Sequence, residues 1–410
     1  MEDLDRQIAE ACARLAPRLG PEPIIAVACI RDEQDVVERF VRHNLAVVDA
    51  LVVVNHRSRD ATPAILDALM AEGLPLAVCY ASLPGKHQAD WMSRMARAAA
   101  GRLAAHPVVP LDADEFLTGS DPETMRRLLK AIRRDGARAL EWLSYVPLAT
   151  DPADEIDVLA RVTHRRAREI SRSVKLAAGG DLAADPAFHW FHGMHKLHCG
   201  FTTIPVAPQQ PDLALAHVPV RSVDQLRAKV ASNRLSVLAI AGPQRAAGIH
   251  YQWLADTVSL APTMTADDLT RAALAYACDH EPEDRDWVSD PVPILGGPLV
   301  HTPAGVPDAL ERVVWVASDL AEFCAANPQL TTPSEATIPI LDQNRRLRAM
   351  FQALGRLVDR PDATPEQLVE TYRDPSATLR SVPAAALARE LSVRIRRRLR
   401  SMLGLTRTTS

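Results

Sequence analysis

Four apolar runs of strand length alternate with helix-forming segments in the N-terminal part of the chain. The runs are IIAVACI at 24–30, ALVVVN at 50–55, LPLAVCYA at 74–81 and HPVVPLDADEF at 106–116. Apolar residues with helical spacing cover 36–48, Thr62 and Pro63 begin a second helix, and 88–105 forms a third. Continuous apolar runs are typical of parallel strands buried on both faces. The alternation therefore predicts a doubly wound α/β sheet with ligands at the carboxyl ends of its strands.

Composition and charge limit the classes of function. The formal net charge of -4 argues against a general nucleic-acid binder. The six cysteines include no C-x-x-C pair, which indicates reduced thiols rather than a disulfide framework or a zinc site. No apolar run approaches the length of a membrane span, and the acidic start MEDLDRQIAE does not resemble a signal peptide. We therefore expect a cytoplasmic protein.

The fourth run ends in three acids among four residues, Asp112, Asp114 and Glu115. Two carboxylates at i and i+2, where a strand breaks into a loop, can turn toward one point. Such oxygen ligands suit Mg²⁺ or Mn²⁺ that keeps open positions for diphosphate oxygens. The alternative is that Asp112 and Asp114 are turn and cap residues of a helix starting near DPETMRRLL. Their position after the fourth strand favours the metal site.

Three motifs follow one another along the chain: ACIRDE, VVVNHRSRDATP and LDADEFL. In their order and intervals they resemble the family 2 glycosyltransferases of the GT-A fold, and the branch with a D-x-D-E-F motif is the most similar. SVKLA at 173–177 and ALAHVPVRSVDQLRAKV at 214–230 also resemble segments of that branch, with Val218 where an aromatic residue is usual. The resemblance covers about residues 24–235. It implies a mixed sheet with helices on both faces and a metal-dependent, inverting sugar transfer from a nucleotide-diphosphate donor.

The resemblance also implies a donor-binding set. Its members follow the first two strands, precede or lie on the helix at 88–105, or end the fourth strand: Arg31, Asp32, Glu33, Asn55, Ser58, Asp60, Lys86, Gln88, Arg94 and Asp112. Asn55 departs from the family, which usually has an aspartate that accepts the uracil N3–H. An amide oxygen can accept the same hydrogen bond without charge. We expect UDP in preference to GDP.

The metal ligands implied by the resemblance are Asp112, Asp114 and His217, binding Mn²⁺ or Mg²⁺. Four histidines lie three residues apart in HWFHGMHKLH, and His192 and His195 are the alternative metal ligands or acceptor-side contacts. A zinc site is conceivable in this segment, but no cysteine pair or carboxylate supports it with recognisable spacing.

An inverting transfer needs a carboxylate that takes the proton of the acceptor hydroxyl. The sequence does not single this base out. Glu141, on the strand that follows the acidic motif, and Asp181 or Asp185, before the histidines, are the candidates.

The chain is expected to comprise an N-terminal helix (1–20), a GT-A domain (21–235), a mostly helical region (236–385) and a basic amphipathic tail (386–410). An apolar stripe with a crowded arginine face allows the tail to contact an anionic membrane, or equally to dock on the protein itself. We expect a role in bacterial surface glycan or polysaccharide synthesis, with a glycan or lipid-linked acceptor. The alternatives are a non-catalytic binding or scaffold module, and a nucleotidyltransferase, which is disfavoured because ACIRDEQD has no glycine.

Overall fold

The computed structural model describes residues 2–83, 87–169, 174–200, 203–238, 264–276, 286–307 and 309–326. The chain divides into two compact units, Met1–Phe323 and Cys324–Ser410. The elements described below begin in the first unit. The tail expected at 386–410, and most of the helical region expected at 236–385, lie outside the described residues.

A mixed sheet forms the centre of the first unit. Its strands are β1 (Ile25–Ile30), β2 (Ala50–His56), β3 (Leu76–Ala81), β4 (Val108–Leu111), β5 (Glu115–Thr118), β6 (Ala137–Ser144), β8 (Val174–Ala178), β11 (Val206–Ala207) and β12 (Ala214–His217). The strand order is β3-β2-β1-β4-β8-β6-β12-β5, and β11 pairs with β6. Strands β1 to β4 are parallel, whereas β8 runs antiparallel to both β4 and β6. Two small antiparallel pairs, β7 (His164–Arg166) with β13 (Trp287–Ser289) and β9 (Phe188–Trp190) with β10 (Leu197–Cys199), lie outside this sheet.

The fourth apolar run is two strands rather than the one expected. Strand β4 pairs with β1, whereas β5 leaves the parallel part of the sheet and pairs antiparallel with β12. Residues 112–114 are the connection between them. The acidic motif therefore lies at the carboxyl edge of the parallel strands, where the chain crosses from one part of the sheet to another.

Side chains of a helix, rather than a further strand, cover the outer edge of β5. Asn44 donates from Nδ2 to Glu115 O at 3.0 Å and accepts from Leu117 N at 2.9 Å. His43 Nε2 lies 2.8 Å from Leu117 O. The edge of a sheet has backbone N–H and C=O groups without strand partners. These two side chains supply the hydrogen-bond partners that a neighbouring strand would otherwise provide.

Helices cover both faces of the sheet, as the α/β expectation requires. They are α1 (Glu2–Leu15), α2 (Val37–Asn44), α3 (Thr62–Ala71), α4 (Gln88–Leu103), α5 (Pro122–Lys130), α6 (Val158–Arg161), α7 (Gly180–Ala184), α8 (Val223–Leu238), α9 (Ala266–Leu274) and α10 (Ala309–Ala326). One apolar core joins α2, α3 and α5 to the sheet, and a second joins α1, α4 and α7. The fold class predicted from the sequence is confirmed. None of the described helices is long and apolar enough to cross a bilayer.

Candidate active site

A tight turn presents the two aspartates. Glu115 N donates to Asp112 O at 3.0 Å, and Asp112 N donates back to Glu115 Oε2 at 2.8 Å. Glu115 is fully buried beneath the turn, whereas the side chain of Asp112 is 27% exposed. Glu115 therefore stabilises the turn through its two hydrogen bonds, and the turn carries Asp112 and Asp114.

The buried Lys175 of β8 forms ion pairs with two of the three acids. Its Nζ lies 2.7 Å from Asp112 and 3.2 Å from Glu115, and its side chain is fully buried. Trp142 Nε1 donates to Glu115 at 2.8 Å. Burial raises the pKa of the Glu115 carboxyl to about 8, against the opposing charge of Lys175. Burial alone would lower the pKa of Lys175, but Asp112 and Glu115 outweigh it and raise that pKa.

Two cationic side chains and one histidine surround Asp114. Lys229 of α8 forms an ion pair with it, Arg221 lies 4.0 Å away and His217 Nε2 lies 3.9 Å away. Burial opposes ionisation of Asp114, but these neighbours outweigh it and lower its pKa. Burial lowers the pKa of His217 to about 3, so its imidazole is neutral at pH 7. His217 also stacks on Trp142, with ring centroids 4.2 Å apart.

Arg221 connects the aspartate turn to the loop after β1. Its guanidinium pairs with Asp35 at 2.7 Å and with Glu33, and its side chain is fully buried. Glu33 is one of the residues predicted to bind the donor, and its carboxylate pairs with Arg221 in this structure. Burial raises the pKa of Glu33, with Arg221 opposing that effect.

The loops after β1 and β2 are tied together by the predicted donor-binding residues. Asp32 N donates to Ser58 Oγ at 2.9 Å, and Ser58 N donates to Asn55 Oδ1 at 3.2 Å. Asp60 accepts from Gln34 N at 3.1 Å. Asp32 and Asn55 are almost completely buried. The structure therefore brings four of the predicted residues together, at the carboxyl edge of the sheet.

The predicted residues near α4 divide into three cases. Gln88 begins the helix and donates from Nε2 to Asp112 Oδ1 at 2.6 Å, so the structure brings these two together. Arg94 pairs instead with Asp5 of α1 and with Asp90, both at 2.8 Å. These ion pairs hold Arg94 beside α1, and its role in donor binding stays a prediction. Lys86 lies outside the described residues.

The three candidate bases do not converge on the aspartates. Side chains alternate along β6, so Glu141 lies on the face of the sheet opposite to that of Trp142. Asp181 is exposed on α7 and pairs with Arg134 at 2.8 Å. Asp185 is exposed and accepts from Ala187 N at 2.7 Å. The short helix α7 buries its apolar residues, which leaves both aspartates toward solvent.

One residue of the histidine segment reaches the site. The ring of His195 packs edge-on against Trp142, with centroids 4.9 Å apart, and its Nδ1 lies 2.9 Å from Val174 O. It therefore shares Trp142 with His217 and Glu115. The side chain of His192 lies outside the described part of the structure.

Four basic or aromatic residues of the site were given no role by the sequence. Lys175, Arg221 and Lys229 lie within segments quoted for the family resemblance, and Trp142 lies in the strand that follows the acidic motif. Their spacing in the sequence carries no signal, because they meet the aspartates only through the packing of β6, β8, α8 and the loop before α8.

No protein-family model and no curated protein matches this sequence. Among solved structures, glucosyl-3-phosphoglycerate synthase from Mycobacterium tuberculosis, in complex with Mn²⁺, uridine diphosphate and phosphoglyceric acid, is 15% identical over 57% of this chain and 84% of that chain, with a TM-score of 0.30. A mannosyltransferase from Pyrobaculum calidifontis, in complex with GDP-Man and Mn²⁺, is 16% identical over 66% and 88%, with a TM-score of 0.29. A putative glucose-1-phosphate thymidylyltransferase from Bacillus anthracis, in complex with a sucrose, is 8% identical over 39% and 72%, with a TM-score of 0.23. Because these scores are low, the function proposed below depends on the residues of the site.

The side-chain oxygen and nitrogen atoms at the turn are compatible with binding of a divalent cation. Asp112 and Asp114 offer carboxylate oxygens, and His217 offers a neutral ring nitrogen. Within the described ranges, no three carboxylate, imidazole or thiol groups are arranged to enclose a metal. Mg²⁺ is commonly held by one or two carboxylates together with substrate phosphates, so an incomplete protein site suits a cation that arrives with a diphosphate.

Proposed function

We propose that this chain is a metal-dependent glycosyltransferase that moves a sugar from a nucleotide-diphosphate donor to a hydroxyl acceptor. The observation that carries the proposal is the pair Asp112 and Asp114 on a tight turn at the carboxyl edge of the parallel strands, with Lys175 and Lys229 against them. An edge of this kind is where ligands bind in open α/β sheets.

Asp112, Asp114 and His217 would hold Mn²⁺ or Mg²⁺. The cation, when bound, would neutralise charge that develops on the departing diphosphate. Lys175 and Lys229 neutralise the two carboxylates in this structure, which avoids the cost of an unpaired buried charge.

We further propose that the transfer inverts the anomeric centre and that the acceptor is a glycan or lipid-linked hydroxyl. The family resemblance supports inversion and a role in bacterial surface glycan or polysaccharide synthesis. We propose UDP as the preferred nucleotide, although Asn55 Oδ1 already accepts from Ser58 N and would have to accept a second bond. We propose a cytoplasmic protein whose tail at 386–410 contacts the membrane surface.

Calorimetric titration of UDP and GDP, with and without Mn²⁺, tests the function. Asp112→Asn and Asp114→Asn should each weaken the Mn²⁺-dependent binding by about tenfold or more, since each loses a charged ligand. Asp135→Asn is the matched control, because Asp135 is exposed and pairs only with Arg133 in the described structure. If the folded protein binds neither nucleotide with or without metal, the transferase proposal is wrong and a non-catalytic scaffold is the better interpretation.

A further inference from the structure

Three arginines from the loops that follow β1 and β2 converge on the carboxylate of one residue, Asp319, which lies far along the chain in a helix. Arg31 NH2 lies 3.1 Å from Asp319 Oδ2, and Arg57 NH2 and Arg59 NH2 lie 2.7 and 2.6 Å from Asp319 Oδ1. Asp319 belongs to α10, and its side chain is only 1% exposed. Arg31 follows β1, and the other two follow β2, so all three lie at the carboxyl edge of the parallel strands.

The same face of α10 makes further contacts with this edge. Arg312, seven residues before Asp319, donates to Asp32 O at 2.5 Å and lies 3.5 Å from Asp60. Residues seven apart lie on one face of a helix. Asp32 and Asp60 both belong to the predicted donor-binding set, so α10 covers the region in which a nucleotide would bind.

The carboxylate does not satisfy the arginines that surround it. The Nε atoms of Arg31 and Arg57 are buried and have no hydrogen-bond partner, although Arg31 Nε also lies 3.5 Å from Asp32 Oδ2. Buried N–H groups normally have partners, and an unpaired one costs free energy. A carboxylate offers two oxygens, whereas a phosphate offers three or more, and arginine forks match phosphate geometry.

We propose that Arg31, Arg57 and Arg59 form a subsite for a phosphate group of the nucleotide donor, and that Asp319 occupies this subsite as an internal competitor. The inference rests on the proposed donor and adds two binding residues and one competitor to it. A buried ion pair loses much of its Coulombic gain to desolvation, so an incoming phosphate can replace Asp319 at modest cost. Binding of the donor then breaks the contact between Asp319 and the edge and loosens this part of α10.

Asp319→Asn in the full chain tests the competition. The amide keeps the shape of the carboxylate but is a weaker acceptor for arginine, so the dissociation constant for UDP should fall by at least about fivefold. Uridine, which has no phosphate, should bind the variant and the wild type equally. Glu322→Gln is the matched control, because Glu322 contacts Arg57 and Arg59 but is 63% exposed, and its effect should be small.

A second measurement does not depend on a variant that folds. Hydrogen exchange of the wild-type chain should show faster exchange at 312–322 when UDP is added, because the phosphate takes the arginines from Asp319. Unchanged UDP affinity in Asp319→Asn with unchanged exchange in α10 would overturn the subsite while leaving the transferase proposal intact. An equal gain for uridine would show that α10 only covers the pocket, and would also overturn it. Failure of UDP and GDP to bind either protein would overturn both proposals.

Discussion

Asn44 is the residue whose replacement most directly tests how the acidic turn is supported. It is fully buried, and its amide pairs with both Glu115 O and Leu117 N on the free edge of β5. Asn44→Leu keeps the branched shape and the number of heavy atoms of the side chain but leaves one buried acceptor and one buried donor unpaired. Each unpaired group costs roughly 1–3 kcal/mol, so we expect a loss of about 3 kcal/mol in the free energy of unfolding after the gain from burying leucine.

Asn44→Asp separates the hydrogen bonds from the packing. Its carboxylate can still accept from Leu117 N, but its second oxygen faces Phe40 O and Glu115 O, which the Asn44 amide now contacts at 3.0 Å. Two acceptors that face each other repel, so this variant should be less stable than Asn44→Leu at pH 7. It should recover stability at low pH, where a protonated carboxyl can donate to one of the carbonyls.

Urea unfolding at pH 7 and pH 5 measures these differences, and hydrogen exchange at the Leu117 amide gives the local readout. Asn233→Leu is the control, because within the described residues the Asn233 side chain donates only to the Lys229 carbonyl of its own helix. Its effect should stay within about 0.5 kcal/mol. A loss below about 1 kcal/mol in Asn44→Leu, with Leu117 still protected, would refute the view that this side chain replaces a neighbouring strand.

Three further predictions concern the stability of the fold. Burial lowers the pKa of His43 to about 4, below the value of about 6.5 expected in the unfolded chain, so its contribution is complete above pH 6.5 and is lost as the pH falls toward 4. The free energy of unfolding should therefore fall between pH 6.5 and pH 4, and in His43→Gln this fall should be smaller by about 3 kcal/mol. An unchanged pH profile in the variant would contradict this. Gly119→Ala should destabilise the protein by about 2 kcal/mol or more, because a Cβ there would collide with the backbone carbonyl of Asp212. Gly101→Ala on α4 meets open space and should stabilise it by about 0.5–1 kcal/mol, which thermal unfolding of both variants would measure.

The site joins two groups of charges through one arginine. Arg221 bridges the aspartate turn and the loop after β1, and burial alone would lower its pKa, but Asp35 and Glu33 outweigh that effect and raise it. A permanently charged group at this position couples Asp114 to the loop that also carries Arg31 and Asp32. The charges of the two loops are therefore linked through Arg221.

Much of the fold and the position of the site could be predicted from local patterns. The apolar runs at 24–30, 50–55 and 74–81 correspond to β1, β2 and β3. A strand buried on both faces is apolar throughout, so it can be recognised in the sequence as a continuous run. The acids of 112–115 could be recognised as a candidate site, because several carboxylates directly after a buried strand carry a cost in free energy that a bound partner would offset. The division of the fourth run into β4 and β5 was not predictable, since it depends on pairing with β12, about a hundred residues later.

The partners of the acids were decided by tertiary structure alone. Lys175, Lys229 and Arg221 are separated from Asp112 and Asp114 by tens of residues or more, and Asp319 lies 288 residues after Arg31. Periodicity reports which face of an element is buried, but it does not report which elements meet. The sequence by itself therefore determined an α/β sheet that ends in carboxylates. Only the folded chain decided which cations neutralise those carboxylates, because a buried charge is paired by whatever the topology brings within a few ångströms of it.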